Sequence, residues 1–403
     1  MFSVLFAVNC LRKNKFESDE VCHATKPCIQ ARHDGGQGTD RPTTPVTKST
    51  ENFLKPDAGR ARHSVRAAND WGDPIDLDPR PPLFMIRFLH TRGHAYTLTP
   101  VRKSRQAPDI GVMNYDRLLR SRWLRRATYI FTDLDRLSYW DLELASHLYL
   151  QMKNAGLPVW NNPTQVKNRY RLLRALHAAG LNDFNAYSVD DLGASLRYPV
   201  FLRKLQGHRK PVSDLLESRA QLDQAIAAAI ATGTPPDNLL VAEYVGEPVR
   251  PGLYRKLAAF RIGNVIVPHI SVHESKWLVK YGELGIAGED LYRQELELLQ
   301  TNPYADHLRK VFDLAGIEYG RADFGFYQGR LQVYEINTNP ALGAPGKHPS
   351  PVRMESLKLM WNQYLEALKA LDTPGGWPVR LADGPLQRHR AWKNLLVHTR
   401  KVH

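Results

Sequence analysis

Cysteine is scarce in this chain. The three residues, Cys10, Cys22 and Cys28, all fall within the first 28 of 403 positions. No CxxC pair occurs and no histidine stands at zinc-finger spacing from them, so neither a disulfide framework nor a zinc module is written into the body of the chain. A body without cysteine fits a reducing compartment, and a cytoplasmic location is expected. Long apolar runs are missing too; none approaches the length needed to span a bilayer. The briefly apolar start, MFSVLFAVNCLRKNK, has its basic residues after the apolar run and no small-residue cleavage site, which is not the pattern of a secretory signal. GAPGKHPS lacks the G-x-x-x-x-G-K-[ST] spacing of a P-loop, and neither G-x-S-x-G nor H-E-x-x-H is present.

Acidic charge is in deficit. Fifty-five Lys and Arg face 41 Asp and Glu, a net charge of +14. This favours an anionic partner such as nucleotide phosphates, nucleic acid or an acidic surface. Charge alone does not make the chain a nucleic-acid binder, and no nucleic-acid or membrane partner is expected. Composition is otherwise globular, with 43% hydrophobic residues.

Residues 1–78 are rich in Gly, Pro, Thr and charge without an apolar period, and read as a disordered extension. From residue 79 the pattern becomes α/β. The stretches 83–90, 127–134 and 157–160 read as strands and 139–156 as a helix, a small βα domain over 79–163. The body then runs from 164 to 372. It starts with a helix capped by Thr164 and stopped near Gly180. Short strands follow at NAYSV and YPVFLRK, then a helix capped by Ser213 and the strand NLLVAEYV. A hairpin turning at Gly263-Asn264 and helices near 286–300 and 303–315 come next, with a last helix in PVRMESLKLMWNQYLEALKAL. Residues 373–403 read as a basic tail.

The most informative stretch is YGRADFGFYQGRLQVYEINTNP, residues 319–340. Two aromatic-rich runs broken at Gly329 predict an antiparallel hairpin. A two-residue loop, Gln328-Gly329, would pair 323 with 334 and turn Glu335 away from Asp323. A three-residue loop centred on Gly329 pairs 323 with 335 and 321 with 337. Arg321, Asp323, Glu335 and Asn337 then share one face, and Ala322, Phe324, Phe326, Tyr334 and Ile336 the other. The three-residue loop is adopted because it clusters the polar groups. Two carboxylates directly opposite repel. A divalent cation relieves this, and two acids with an amide oxygen suit Mg²⁺. An ion pair of Arg321 with one acid, the other acid solvated, is the alternative.

RADF…VYEINTNP resembles the metal-binding end of the ATP-grasp superfamily, in the style of the D-alanine–D-alanine ligases and the ribosomal-protein glutamate ligases. The resemblance extends over about 157–370. It implies an α/β architecture in which the small βα domain precedes two subdomains whose mixed and antiparallel sheets hold ATP between them. It implies ATP and Mg²⁺, with Mn²⁺ as an alternative. Asp323, Glu335 and Asn337 would be the metal ligands, and Arg321 the residue stabilising charge on the reacting acyl group. Arg203 and Arg169 stand where members of the family carry phosphate-binding lysines. His208 and Arg209, in LQGHRKPVSD, stand where a glycine-rich loop covers the phosphates. Glu243, Tyr244 and Val245 would supply the adenine hinge, and Glu247 the ribose contact. Lys256, Lys276 and Lys280 are further phosphate candidates. The implied activity is carboxylate activation as an acyl phosphate followed by attack of an amine, on small-molecule or peptide substrates that the sequence does not name. A kinase of the same superfamily and a non-catalytic ATP-binding module are the alternatives.

Overall fold

The computed structural model describes residues 85–193, 195–206, 210–342 and 346–382. The chain divides into two units, residues 1–74 and 75–403, and every described residue belongs to the second. The extension read over 1–78 lies outside the described residues, as do His208 and Arg209.

The first module contains β1 (Ile86–His90), α1 (Thr99–Arg102), β2 (Ile110–Asn114), α2 (Tyr115–Arg120), β3 (Trp123–Leu124), β4 (Thr128–Phe131), α3 (Tyr139–Asn154) and β5 (Val159–Trp160). Its sheet has the order β2-β1-β4-β5 with every pair parallel. Both faces of such a sheet are covered, which explains the unbroken apolar runs. Leu89, Tyr129 and Phe131 pack with Leu144, Leu148 and Met152 of α3. Ile86, Phe88 and Ile130 pack on the other side. Ser138 caps α3, its side chain accepting from the N–H of Asp141.

The second module contains α4 (Arg169–Ala178), β6 (Ala186–Ser188), β7 (Val200–Lys204), α5 (Arg219–Ala231) and β8 (Leu239–Glu243), with an antiparallel sheet of order β6-β8-β7. Both expected caps move. Asn168 caps α4 and Ser218 caps α5. Thr164 is held instead in a local turn, its N–H and hydroxyl both donating to Asn162 Oδ1. Ser213 accepts from the N–H of Leu202 at the edge of β7. The helices start later than expected, so Thr164 and Ser213 lie outside the first turns.

The third module contains β9 (Pro248–Arg250), β10 (Leu253–Ile262), β11 (Val265–Glu274), α6 (Glu289–Thr301), α7 (Ala305–Ala315), β12 (Tyr319–Tyr327), β13 (Arg330–Asn337) and α8 (Pro351–Lys369). Its antiparallel sheet has the order β11-β10-β12-β13, with β9 on β10. The turn between β10 and β11 falls at Gly263-Asn264, as the dipeptide requires. One face buries Leu257, Ala259, Ala322, Phe324 and Val333 against α4 and α7. At one end of the other face, Phe260, Ile262 and Tyr319 meet α8. The remainder of that face is open to a cleft.

Residues 373–382 correct the expected tail. The strand β14 (Val379–Arg380) pairs antiparallel with β3, and Leu381 is buried in the first module. Its apolar positions, Val379 and Leu381, were hidden among basic neighbours. Residues 383–403 lie outside the described residues.

Candidate functional site

The hairpin of β12 and β13 is built differently from the expectation, with the same outcome at the acids. Tyr327 pairs with Arg330, so the loop is two residues long. Gln328 (φ +50°) and Gly329 (φ +74°) are both left-handed, as a type I′ turn demands. The register shifts between Asp323 and Phe324: Phe324 pairs with Val333 while Asp323 pairs with Glu335 and Arg321 with Asn337. Tyr334 is the extra residue, a β-bulge inside β13. The residue assigned to the loop therefore sits in the strand.

The bulge also corrects Tyr334, expected on the core face. Its ring lies over Gly325, where a Cβ would clash with the Tyr334 hydroxyl. The phenol lines the cleft beside Phe184 and is pushed up to about 12 by burial. Val333 takes the core place instead.

Asp323 is 3% exposed. Its Oδ1 accepts from Arg321 Nε at 2.9 Å, and its Oδ2 lies 3.1 Å from Lys256 Nζ. Glu335 Oε2 accepts from Arg169 Nη2 and, at 3.3 Å, from Arg203 Nη2. Among the described residues, Arg169, Arg203, Lys256 and Arg321 thus face the two carboxylates. Burial pushes the Arg203 guanidinium down to about 10; nearby Arg169 adds to this and Glu335 opposes it. Arg169 Nη1 also donates to the carbonyls of Lys204 and Leu205, tying the end of β7 to the hairpin. The arginine pair thus contacts an acid directly, an arrangement that two separate lysine sites would not suggest. Asn337 Oδ1 accepts from the N–H of Asn339 at 2.9 Å. His269, across Ala258 from Asp323, is pushed down to about 3 by burial and then by Arg321.

Whether these residues suit a metal ion is decided by the donor set. Among the described residues no group of three or more His, Cys, Asp or Glu gathers into a protein-only cage. Two carboxylates and an amide oxygen fit a Mg²⁺ that completes its shell with water and phosphate. The alternative Arg321–Asp323 ion pair is also present. The two are compatible, because a cation entering the site can displace Lys256 or Arg321 from Asp323.

The cleft encloses about 160 Å³. Arg203, Lys256, Asp323 and Glu335 line it together with the segment Glu243–Glu247. Lys210 and Lys280 also reach it; Lys276 is not among the lining residues. The Glu243 carboxylate turns away, accepting from the N–H groups of Asn185 and Arg197 and from the Tyr187 hydroxyl. Only the main chain at 243 can then serve a ligand. Glu247 Oε1 accepts from the N–H of Gln328, holding the hairpin tip against the strand. Burial raises the Tyr244 phenol.

Trp277 lines the cleft as well. It packs on Phe201 (centroids 5.3 Å apart) and Tyr244 (5.2 Å). Its segment is held by Glu274, whose Oε1 accepts from the N–H groups of Lys280, Tyr281 and Gly282. Burial raises this carboxyl, but the three N–H bonds outweigh it and the net shift is downward. HESKWLVK offered an aromatic among its lysines, and only the lysines were read.

No family model matches the chain, and no curated protein matches it. Among solved structures it is similar to a D-alanine–D-alanine ligase from Bacillus anthracis complexed with ATP, at 10% identity and a TM-score of 0.38, over 71% of this chain and 99% of that one. The ATP-grasp ligase PsnB with precursor peptide PsnA2 and AMPPNP matches at 14% identity and TM-score 0.42, over 71% and 97%. A RimK domain ATP-grasp protein from Sphaerobacter thermophilus matches at 12% and 0.39, over 71% and 98%.

Proposed function

We propose that this chain is a Mg²⁺- and ATP-dependent ligase of the ATP-grasp type, joining a carboxylate to an amine. The observation that supports it most is the cross-strand pairing of Asp323 with Glu335 and of Arg321 with Asn337, on a cleft also lined by Phe201, Tyr244 and Trp277. Asp323, Glu335 and Asn337 would hold Mg²⁺, which when bound neutralises phosphate oxygens and draws them to the hairpin. Arg203, Lys210, Lys256 and Lys280 supply the remaining positive charge around a triphosphate. Arginine serves here as well as lysine, since its fork grips phosphate with two donors. The base stacks among Phe201, Tyr244 and Trp277, with the main chain of Glu243 to Val245 as its polar edge and Glu247 toward the ribose.

A substrate carboxylate oxygen then forms a bond to the γ-phosphorus as the bond to ADP breaks, giving an acyl phosphate. Positioning and charge stabilisation do most of this work. The amine nitrogen forms a bond to the acyl carbon, and phosphate leaves with the electrons of the broken C–O bond and the nitrogen's surplus proton. Arg321 stabilises the oxyanion between those events.

The test is thermal stabilisation by ATP with and without Mg²⁺, followed by ADP release across a panel of carboxylates and amines. A Mg²⁺-dependent shift and a condensed product are expected. A phosphorylated product without condensation selects the kinase. Mg-ATP binding with no turnover selects the non-catalytic module, and the absence of any shift removes the reading.

A further inference from the structure

Resting on the ligase reading, the geometry points to His94 as the base that takes the proton from the incoming amine, with Asp133 and Asn339 as its positioning residues. The site is the crevice at the carboxyl ends of β1 and β4. From β1 the chain moves outward to β2 and then returns to the opposite side of β1 as β4. Such a switch point between parallel strands leaves a crevice in which α/β proteins bind ligands.

Asp133 follows β4 with a left-handed backbone (φ +56°) and a side chain 1% exposed. Its Oδ2 accepts from the Thr91 N–H (2.9 Å) and hydroxyl (3.0 Å). Its Oδ1 accepts from His94 Nδ1 (2.8 Å) and Asn339 Nδ2 (3.0 Å). The charged and titratable groups facing the imidazole are Asp133, Arg136 (3.7 Å beyond, on Asp133) and Tyr96, whose ring stands edge-on at 5.3 Å. With the Nδ1 proton given to Asp133, Nε2 carries the lone pair of the neutral ring. Nε2 has no hydrogen-bond partner among the described residues, and the side chain is 16% exposed. A buried carboxylate orienting an imidazole whose far nitrogen is open is the arrangement of a general base.

Asn339 connects this crevice to the cleft. Its Oδ1 accepts from the Thr97 hydroxyl (2.7 Å), and its Nδ2 reaches the His94 carbonyl (3.3 Å). Its own N–H donates to Asn337 Oδ1, and Arg321 Nη1 donates to the carbonyl of Ala341 at 3.4 Å. One short segment, 339–341, therefore touches the His94 pair, the proposed metal ligand and the proposed oxyanion residue. The ligand class is a primary ammonium. One N–H proton passes to Nε2, the neutral nitrogen bonds to the acyl carbon, phosphate departs with the electrons of the broken C–O bond and carries off the second N–H proton, and the imidazolium returns its proton to water.

Hydroxylamine separates this step from the rest, because it is already uncharged at neutral pH and needs no base. A carboxylate that supports ADP release in the wild type is supplied with either hydroxylamine or a primary amine. In His94→Ala the ratio of amine product to hydroxamate is expected to fall about 10²- to 10⁴-fold, with partial recovery on adding free imidazole. His94→Gln, which keeps a donor for Asp133, should melt like the wild type and show the same fall. Asp133→Asn should lower the same ratio. An unchanged ratio, or loss of the fold in all three variants with no recovery by imidazole, overturns the assignment. Failure of the wild type to form any hydroxamate overturns the ligase reading itself, and this site with it.

Discussion

Asp323 and Glu335 are direct cross-strand partners, and among the described residues Lys256 and Arg321 hold the one while Arg169 and Arg203 hold the other. The pairing makes the acids a shared site, and the cations make it tolerable without a metal.

That balance gives a signed expectation for Glu335→Gln. Removing the acid leaves Arg169 and Arg203 without their counter-ion and destabilises the protein by about 1–3 kcal/mol. It also removes repulsion toward a triphosphate. Stabilisation by ATP without Mg²⁺ should rise and the additional stabilisation from Mg²⁺ should vanish, as read by melting curves with each ligand.

Arg321→Ala tests charge stabilisation apart from binding. Loss of one donor to a developing oxyanion costs about 10²- to 10³-fold in kcat. ATP affinity should stay within a few-fold of wild type, because Lys256 still faces Asp323. Parallel loss of both, measured by steady-state kinetics and calorimetry, would mean that Arg321 only braces the strand.

Gly325→Ala tests the bulge. The new methyl would clash with the Tyr334 hydroxyl and stand 3.1 Å from the ring. The phenol must swing off the sheet, which costs about 1–3 kcal/mol if its surroundings resist. Nucleotide affinity should fall while the Mg²⁺ dependence survives, because the acids keep their register. An unchanged affinity would show that Tyr334 does not shape the cleft.

Acid sensitivity should trace in part to His273. It is 4% exposed, and its ring is pushed down to about 4 by burial, with Arg255 and Arg353 adding to this. Between that value and the ordinary 6.5, the unfolded chain binds a proton that the folded chain refuses. Its contribution is fully present above 6.5 and drains away as the pH falls toward about 4. His273→Leu should flatten the fall in melting temperature across that window. An unaltered slope would exclude His273 as a source.

The acids' shared face was legible because polar and apolar residues alternate along 319–337, and only one pairing gathers Arg321, Asp323, Glu335 and Asn337. The means was not legible. An aromatic at 334 reads as core, and nothing local marks it as a bulge, since the cause is the bare backbone of Gly325 on the neighbouring strand. The caps failed for a related reason: Thr164 and Ser213 have the right chemistry, but turns hold them at Asn162 and Leu202, and the helices begin only at Arg169 and Arg219. The His94–Asp133 pair is 39 residues apart and joined to Asn339 across more than 200, beyond any periodic signal. Trp277 stands in the sequence among lysines, with no local signal that it packs on Phe201 and Tyr244.

The pairing of β14 with β3 has a consequence for synthesis. Val379 and Leu381 complete a hydrophobic cluster whose other members lie between residues 85 and 166. A nascent chain emerging from the ribosome must therefore keep its earliest module unfinished until almost every described residue has been translated. A stop codon near position 373 would harm the start of the fold more than its end.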